Sequence, residues 1–444
     1  MSLSAPHPKI PPISTAAGKN WAGNLTYSAR DLAAPTTGAE LAAAMSKNDG
    51  PIKFLGSRHC FNNVADTDGT MITLTEFEPL TARTLEIQEH PDRPGHGWVR
   101  VPAATTYGSL AQLLDQQGWA ISNFASLPHI SIAGAIATGT HGSGNNNRAL
   151  VGDIRAFEIM TPSGQVRTAR RDGTGDFPYE AAVHLGVFGA LTFVEIDIER
   201  QYQVRQDLFT GLAWDQVWEN FDAITSSAYS VSMFTRWYST EVDQVWLKSR
   251  TTGDLTAAQG ESFFGAQRAT VKLHPLPNVD PLHCTEQLGV PGPSHERLAH
   301  FKMGFTPSKG EELQSEYLIP RRNAVPAIQA VLALGAKIRP LLFISEIRTM
   351  AADGGWLSPS GQEDSIGLHF TWHQREAEVM RLLPEIEAAL EPFTVRPHWG
   401  KLHTFTKERL APLYPHFDDF VALARECDPT GRLSNAYLRE TLGL

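Results

Sequence analysis

Cysteine is scarce in this 444-residue chain: Cys60, Cys284 and Cys427 stand alone and far apart. They follow no metal-ligand spacing, and so sparse and odd a set argues against a disulfide framework and fits a reducing compartment. Positive charge is also short. Lys and Arg number 38 against 48 Asp and Glu, a net charge of −10. With no basic cluster to offset it, that balance argues against a nucleic acid or an anionic membrane as partner. No apolar run reaches the length of a membrane-spanning helix. The start, Met1 to Lys19, is proline-rich and polar and lacks the pattern of a signal peptide. A cytoplasmic protein is expected. No strand runs into a G-x-G-x-x-G helix start, so the Rossmann fingerprint is missing, as is the H-E-x-x-H pair of a zinc hydrolase. No internal repeat is visible.

What remains is a chain with 42% hydrophobic residues, long enough for roughly two to four domains. Its most informative stretch is Gly56-Ser57-Arg58-His59-Cys60, which follows a short apolar strand, Pro51 to Leu55. A glycine followed by small polar residues lets backbone N–H groups converge on an anion such as a diphosphate, and Arg58 adds a charge-assisted donor. His59 places an imidazole at the lip. An ordinary loop has the same look.

A second stretch runs from Ser126 to Gly144 and is dense in Ala, Gly, Ser and Thr. Such residues allow a backbone to lie against a flat ligand or a close-packed helix. Around it the pattern predicts a helix from Gly38 to Met45 capped by Thr36 or Thr37, a helix from Tyr107 to Gln117 closed by Gly118, and strands at 71–74, 84–88, 98–101, 151–164, 165–169 and 193–198. The glycine-rich texture ends near Gln201, where a domain boundary is expected. Amphipathic segments follow at 214–225 and 230–238. Residues 250–310 read as long loops.

Three later strands carry unusual polar sets. Glu346 and Arg348 share one face of Leu341–Thr349. His369, Thr371 and His373 share a face of Gly367–His373, opposite Leu368, Phe370 and Trp372. Trp399, Lys401 and His403 share a face of Pro397–His403. Together they suit a cavity for a hydroxylated ligand better than a solvated surface. A helix is expected from Leu410 to Glu426, then a docked tail through Asp428-Pro429 and Tyr437.

In order and number these stretches resemble the vanillyl-alcohol oxidase family of flavoproteins, within its aldonolactone oxidase branch, and most of all the bacterial members that oxidise alditols such as xylitol. The carrying motifs are Gly56 to His59, Ser126 to Gly144, Glu346-Ile347-Arg348, Leu368 to Trp372, His398-Trp399-Gly400-Lys401 and Asp428-Pro429 through Tyr437. The resemblance implies an α+β fold. Residues 1–200 would form a two-lobed FAD-binding domain, 201–404 an α+β substrate domain whose sheet covers the flavin, and 405–444 a segment returning to the first domain.

The resemblance further implies FAD linked covalently through His59. Phe54, Leu55, Gly56, Ser57, Arg58, Cys60, Ser126, Ser131, Gly134, Thr138, Gly139, Thr140, His141 and Ile196 would line the cofactor, with Ile196 near the adenine. Ser126, Gln314, Glu346, Arg348, Thr371 and Lys401 would bind substrate. Lys401, Arg348, His369 and Glu346 would be catalytic. Cys60 stands where serine is expected; in an extended stretch it points away from the side of His59, so no second flavin link is expected. The implied reaction is oxidation of a polyol's primary hydroxyl by hydride transfer to flavin N5, with dioxygen going to hydrogen peroxide, in a monomer without a metal. Two alternatives stand beside it. One is a flavin dehydrogenase or oxidase of an aldonolactone or 2-hydroxy acid. The other is a metal-dependent sugar-binding protein or hydrolase built on His369, His373, His398, His403 and Glu346.

Overall fold

The computed structural model describes residues 17–444 except 48, 239 and 305–311. The first sixteen residues of the expected N-terminal arm and the end of the 250–310 loop region therefore lie outside the described residues. Three sheets organise the chain. A small parallel sheet has the order β1-β3-β2, with β1 Asp31–Ala33, β2 Ile52–Leu55 and β3 Thr70–Thr73. A helix, Gly38–Ser46, crosses between β1 and β2; Thr37 caps it by accepting from the Glu40 N–H.

The second sheet is antiparallel, in the order β4-β5-β10-β8-β9, with β6 also paired to β10. Its strands are β4 Ile87–Glu89, β5 His96–Pro102, β6 Trp119–Ala120, β8 Ile154–Met160, β9 Val166–Arg170 and β10 Ala190–Arg200. The helix Ile132–Thr138 lies between β6 and β7 (Gly144–Arg148), capped by Ser131 and ended by Gly139 at φ +70°. A left-handed glycine there is the common way to end a helix.

The third sheet has eleven strands, most of them antiparallel. Its path runs β14-β15-β11-β13-β12-β18-β19-β17-β20, with β16 on β11 and β7 parallel to β18. The strands are β11 Gln203–Ala213, β12 Ser230–Thr235, β13 Glu241–Arg250, β14 Ser262–Phe263, β15 Ala266–Arg268, β16 Gly292–Pro293, β17 Glu312–Pro320, β18 Leu342–Ala351, β19 Ser365–His373 and β20 Arg396–Pro397. Helices Trp214–Thr225, Ala324–Ala333 and Glu376–Leu390 pack with it. On its apolar face Phe370 stacks on Trp372 and Trp237, and the two indole N–H groups reach Ser315 and Ser345.

Two sequence expectations fail here. Pro397–His403 is not a strand. β20 ends at Pro397, the chain turns through Lys401 N–H to His398 O (3.0 Å), and Leu402 N–H rejoins β17 at Gln314 O. The single helix from Leu410 to Glu426 is broken into Lys407–Leu410, a tight turn at Ala411–Leu413, and Phe417–Cys427. Pro412 and Pro415 remove the N–H donors a continuous helix needs. The tail then bonds back to the first sheet: Ile52 N–H to Arg432 O at 2.8 Å, and Asn435 Nδ2 to the carbonyls of Asn63, Val64 and Asp66.

Candidate active site

The site has two sides. On the first, β2 ends at Leu55 and the chain turns through Gly56-Ser57-Arg58-His59, with Arg58 in the left-handed region at φ +64°. Ser57 Oγ accepts from the Ser131 N–H at 3.1 Å. A Cβ added at Gly56 would meet Ser131 Oγ at 2.8 Å and would have to displace the hydroxyl that caps the helix. Gly134, Thr138, Gly139, Thr140 and His141 follow on and after the short helix capped by Ser131.

His59 is stacked on Trp21 (5.4 Å between centroids) and tilted against His129 at 4.9 Å. Both its ring nitrogens are buried without a hydrogen-bond partner. Burial, then His129, pushes its pKa down to about 3, so the ring is neutral and carries a free lone pair. A buried imidazole without a hydrogen-bond partner, beside the turn where Gly56 meets the helix capped by Ser131, fits the lining that FAD needs. The left-handed Arg58 means the stretch is not extended, so the alternation argument for Cys60 does not hold. Its Sγ lies 3.2 Å from where a Gly400 Cβ would stand, and burial pushes its thiol up to about 12. Phe54 is partly buried beside Leu55. Ile196 is set apart: its side chain is in the core, and its register on β10 faces Val99 and Ile154.

The second side is one face of the large sheet. Antiparallel partners share a face, and the register aligns Phe234, Glu346, His369 and Glu316 in one row and Ser232, Arg348 and Gly367 in the next. Gln314 and Thr371 pair in the row on the other side of His369. The hub of this face, Glu316, is a residue that sequence reasoning missed. It is 1% exposed. Arg348 Nη2 donates to its Oε1 at 2.7 Å, Lys401 Nζ donates to its Oε2 at 2.7 Å, and His141 Nε2 lies 3.2 Å from Oε1. Burial opposes ionisation of Glu316, but Lys401, His141 and Arg348 outweigh it and hold the carboxyl well below its usual range.

The expected pairing of Glu346 with Arg348 is the looser one, 3.6 Å from Nε to Oε2. Glu346 Oε1 instead takes His300 Nε2 at 2.8 Å, and His300 Nδ1 meets Lys248 Nζ at 2.8 Å. Neither Lys248 nor His300 figured in the sequence reading. Arg348 also reaches across to Ser126 Oγ at 3.4 Å, joining the two sides.

His369 is buried and its pKa is driven well below 6.5, first by burial and then by Lys401. Its Nε2 is 3.0 Å from Gln314 Oε1, while Gln314 Nε2 is 2.7 Å from Glu312 Oε1. A carboxylate only accepts, so the amide must turn its NH₂ to Glu312 and its oxygen to His369. That fixes the proton on Nε2 and leaves Nδ1 as the basic atom. Lys401 arrives on the turn that replaced the expected strand. The turn is tied to the His59 loop: Phe61 N–H to Gly400 O at 2.8 Å, and Asn62 Nδ2 to the carbonyls of Trp399 and Lys401, each at 2.8 Å. Trp399 and His403 serve structure, bonding Leu357 O and Tyr437 Oη. Among the described residues, no three His, Cys, Asp or Glu side chains are grouped to hold a metal ion.

Comparison with known proteins agrees with this geometry. An FAD binding domain model matches residues 31–170, and a D-arabinono-1,4-lactone oxidase model matches 304–441. An alditol oxidase of a Streptomyces species is 42% identical over 95% of this chain and 98% of its own length. The chain belongs to the alditol oxidase family of FAD-dependent oxidoreductases. A more distant relative is the L-gulono-1,4-lactone dehydrogenase of Mycobacterium tuberculosis, 28% identical over 96% of this chain and 98% of its own. The fold recurs in cholesterol oxidase from B. sterolicum, with a TM-score of 0.71 at 14% identity over 99% of this chain and all of that one. The family's α+β architecture, a flavin-binding half and a large covering sheet, is thus the fold of this chain.

Proposed function

We propose that this protein oxidises the primary hydroxyl of a polyol of the xylitol, sorbitol or glycerol type to the aldose, with FAD as cofactor and dioxygen as acceptor. The observation that carries this reading is the charge balance of the buried face. Two cations, Arg348 and Lys401, stand against two carboxylates, Glu316 and Glu346, beside the neutral groups of His369, Gln314, Thr371 and Ser126. A hydroxyl both donates and accepts, and a chain of hydroxyls suits such a face. A 2-hydroxy acid would bring a third anion next to Glu316 and Glu346. The lactone alternative is less favoured, because the lactone-acting relative is the more distant one.

FAD, when bound, would supply the hydride acceptor and the route for the electron pair to dioxygen, with hydrogen peroxide as the reduced product. Phe54 to Cys60, Ser126, Ser131, Gly134 and Thr138 to His141 would hold it, with His59 as the covalent anchor, while Ile196, its side chain in the core, would not. Within the chain, His369 Nδ1 takes the hydroxyl proton, since Nε2–H is committed to Gln314. Lys401 and Arg348 stabilise the negative charge that then develops on oxygen. Glu346 Oε2 accepts from a neighbouring hydroxyl. Arg348 Nε, buried and without a hydrogen-bond partner, donates to the same hydroxyl. We read residues 1–200, 201–404 and 405–444 as the FAD domain, the substrate domain and the returning segment, in a cytoplasmic monomer. A screen of polyols, aldonolactones and hydroxy acids with peroxide detection tests the reading. Polyols should turn over fastest; a hydroxy acid oxidised far faster than any polyol overturns it.

A further inference from the structure

We propose that Lys248 and His300 are positioning residues that lock Glu346 into its role as polyol acceptor and so set substrate affinity. The proposal rests on the polyol reading of the site. Lys248 lies on β13, two strands from the Glu346 strand in the order β13-β12-β18. His300 comes from the loop before residue 304, and its backbone N–H bonds Ser126 O at 3.3 Å. Lys248, His300 and Glu346 are 1%, 6% and 5% exposed, too deep for surface ion pairing.

Donor and acceptor rules give the chain a direction. The Glu346 carboxylate only accepts, so His300 Nε2 must donate to it, and His300 Nδ1 is left with the lone pair that accepts from Lys248 Nζ, which also donates to Leu298 O. The His300 proton is then on Nε2, which donates to Glu346 Oε1 at 2.8 Å. Phe234 and Trp246 hold the imidazole edge-on, each at 5.5 Å between centroids, so the ring keeps this orientation. Burial and Lys248 push the His300 pKa down to about 4, so the ring stays neutral at working pH. Glu346 Oε1 is thereby occupied and Oε2 is presented toward Arg348 Nε. Without Lys248 the imidazole loses its anchor on the Nδ1 side, is held by Glu346 alone, and no longer fixes the direction in which that carboxylate points.

His300→Gln and His300→Leu separate positioning from packing. The Gln amide can accept from Lys248 and donate to Glu346; leucine fills space but does neither. Rapid-mixing measurements of flavin reduction against polyol concentration give affinity and limiting rate separately. His300→Leu and Lys248→Met should weaken apparent affinity about tenfold, the loss of one buried hydrogen bond to a charged group, and change the limiting rate far less. His300→Gln should stay near wild type in both. If Lys248→Met does not fold, the two His300 variants decide alone. Equal defects in the Gln and Leu variants, or a loss confined to the limiting rate, overturn the proposal. Imidazole ¹⁵N resonances of the oxidised holoprotein read the lock without any substrate: His300 should be the Nε2–H tautomer in wild type, and an Nδ1–H wild type also overturns it. A wild type that no polyol reduces defeats the polyol reading instead, while the nitrogen resonances still judge the lock.

Discussion

Glu316 and Arg348 meet at 2.7 Å although their strands do not touch. β19 runs between them, and the bridge passes over Gly367, the residue opposite Arg348. A Cβ there would stand 3.2 Å from Glu316 Oε1 and from Leu318 Cδ1, and 3.3 Å from Met350 Cε. Glycine within a strand often marks such a close approach. Gly367 thus keeps open the path that joins the two strands' charges into one site.

Glu316→Gln should therefore be among the most damaging changes in the chain. It leaves Arg348 and Lys401 buried without their shared carboxylate. Breaking a buried pair from one side costs about 3–5 kcal/mol. Thermal unfolding should show a clear drop in Tm. Since Glu316 raises the Lys401 pKa against burial, its loss should also move the alkaline limb of the pH–rate profile to lower pH. An unchanged alkaline limb would mean that Lys401 does not depend on Glu316.

Gly367→Ala tests the open path with a single methyl. Glu316, Leu318 and Met350 must each give by a few tenths of an ångström, and overpacking of this kind costs about 1–3 kcal/mol. The limiting rate of flavin reduction should fall along with Tm, because the methyl presses on Glu316. A Tm loss with full reduction rate would show that the bridge tolerates displacement.

Much of this face was legible in the sequence because strands alternate. Glu346 with Arg348, and His369 with Thr371, stand two apart between apolar neighbours. Glu316 was open to the same logic: it shares the Gln314 face, opposite Leu313, Tyr317 and Ile319. An acidic residue on a strand reads as solvent-facing, and nothing local shows that two strands close over it. Lys248 and His300 were out of reach, since their contact depends on a loop returning across about fifty residues of sequence. Lys401 was assigned to the site from its motif, His398-Trp399-Gly400-Lys401, and from an extended strand that does not exist. Gly400 was the sign of the turn, as Pro412 and Pro415 were of the broken helix. The antiparallel pairing of Ile87–Glu89 with Gly97–Val99 was legible from the polar turn between them, although the first strand starts later than its expected bound at Thr84.

His59→Ala should release flavin into the supernatant after acid precipitation, whereas wild-type flavin stays with the protein. The ring sits between Trp21 and His129 and gives no hydrogen bond to either, so its loss should leave the fold standing. Far-UV circular dichroism checks that point. Free flavin from acid-treated wild type would remove the covalent link and leave noncovalent FAD binding untouched.

Lys401 and Glu346 should separate in rapid-mixing kinetics. Lys401 carries a charge whose value rises as negative charge develops on oxygen, so Lys401→Ala should lower the limiting reduction rate by about a hundredfold or more. Glu346 accepts from a hydroxyl already present in the ground state, so Glu346→Gln should weaken affinity at least as much as it slows reduction. A Lys401→Ala protein with an intact limiting rate would make Lys401 a binding residue only.

The buried histidines predict the direction of acid lability. His184 is 4% exposed, and burial followed by Lys53 pushes its pKa down to about 3. Its Nδ1 accepts from the Gly186 N–H at 3.0 Å, while Nε2 has no partner to share a proton with. In the unfolded chain the same imidazole titrates near 6.5. Between these values the unfolded state holds a proton that the folded state refuses, so stability is full above pH 6.5 and falls as pH drops toward 3. The slope is about 1.4 kcal/mol per pH unit for each such group, and His300, at about 4, adds to it over much of the range. Tm should thus decline steadily from pH 6.5 to 4, before most carboxylates titrate. His184→Gln can keep an acceptor toward Gly186 but cannot take up a proton in either state, so its Tm should fall less steeply over that window. A mutant whose Tm–pH curve runs parallel to wild type would show that His184 is already charged in the folded protein.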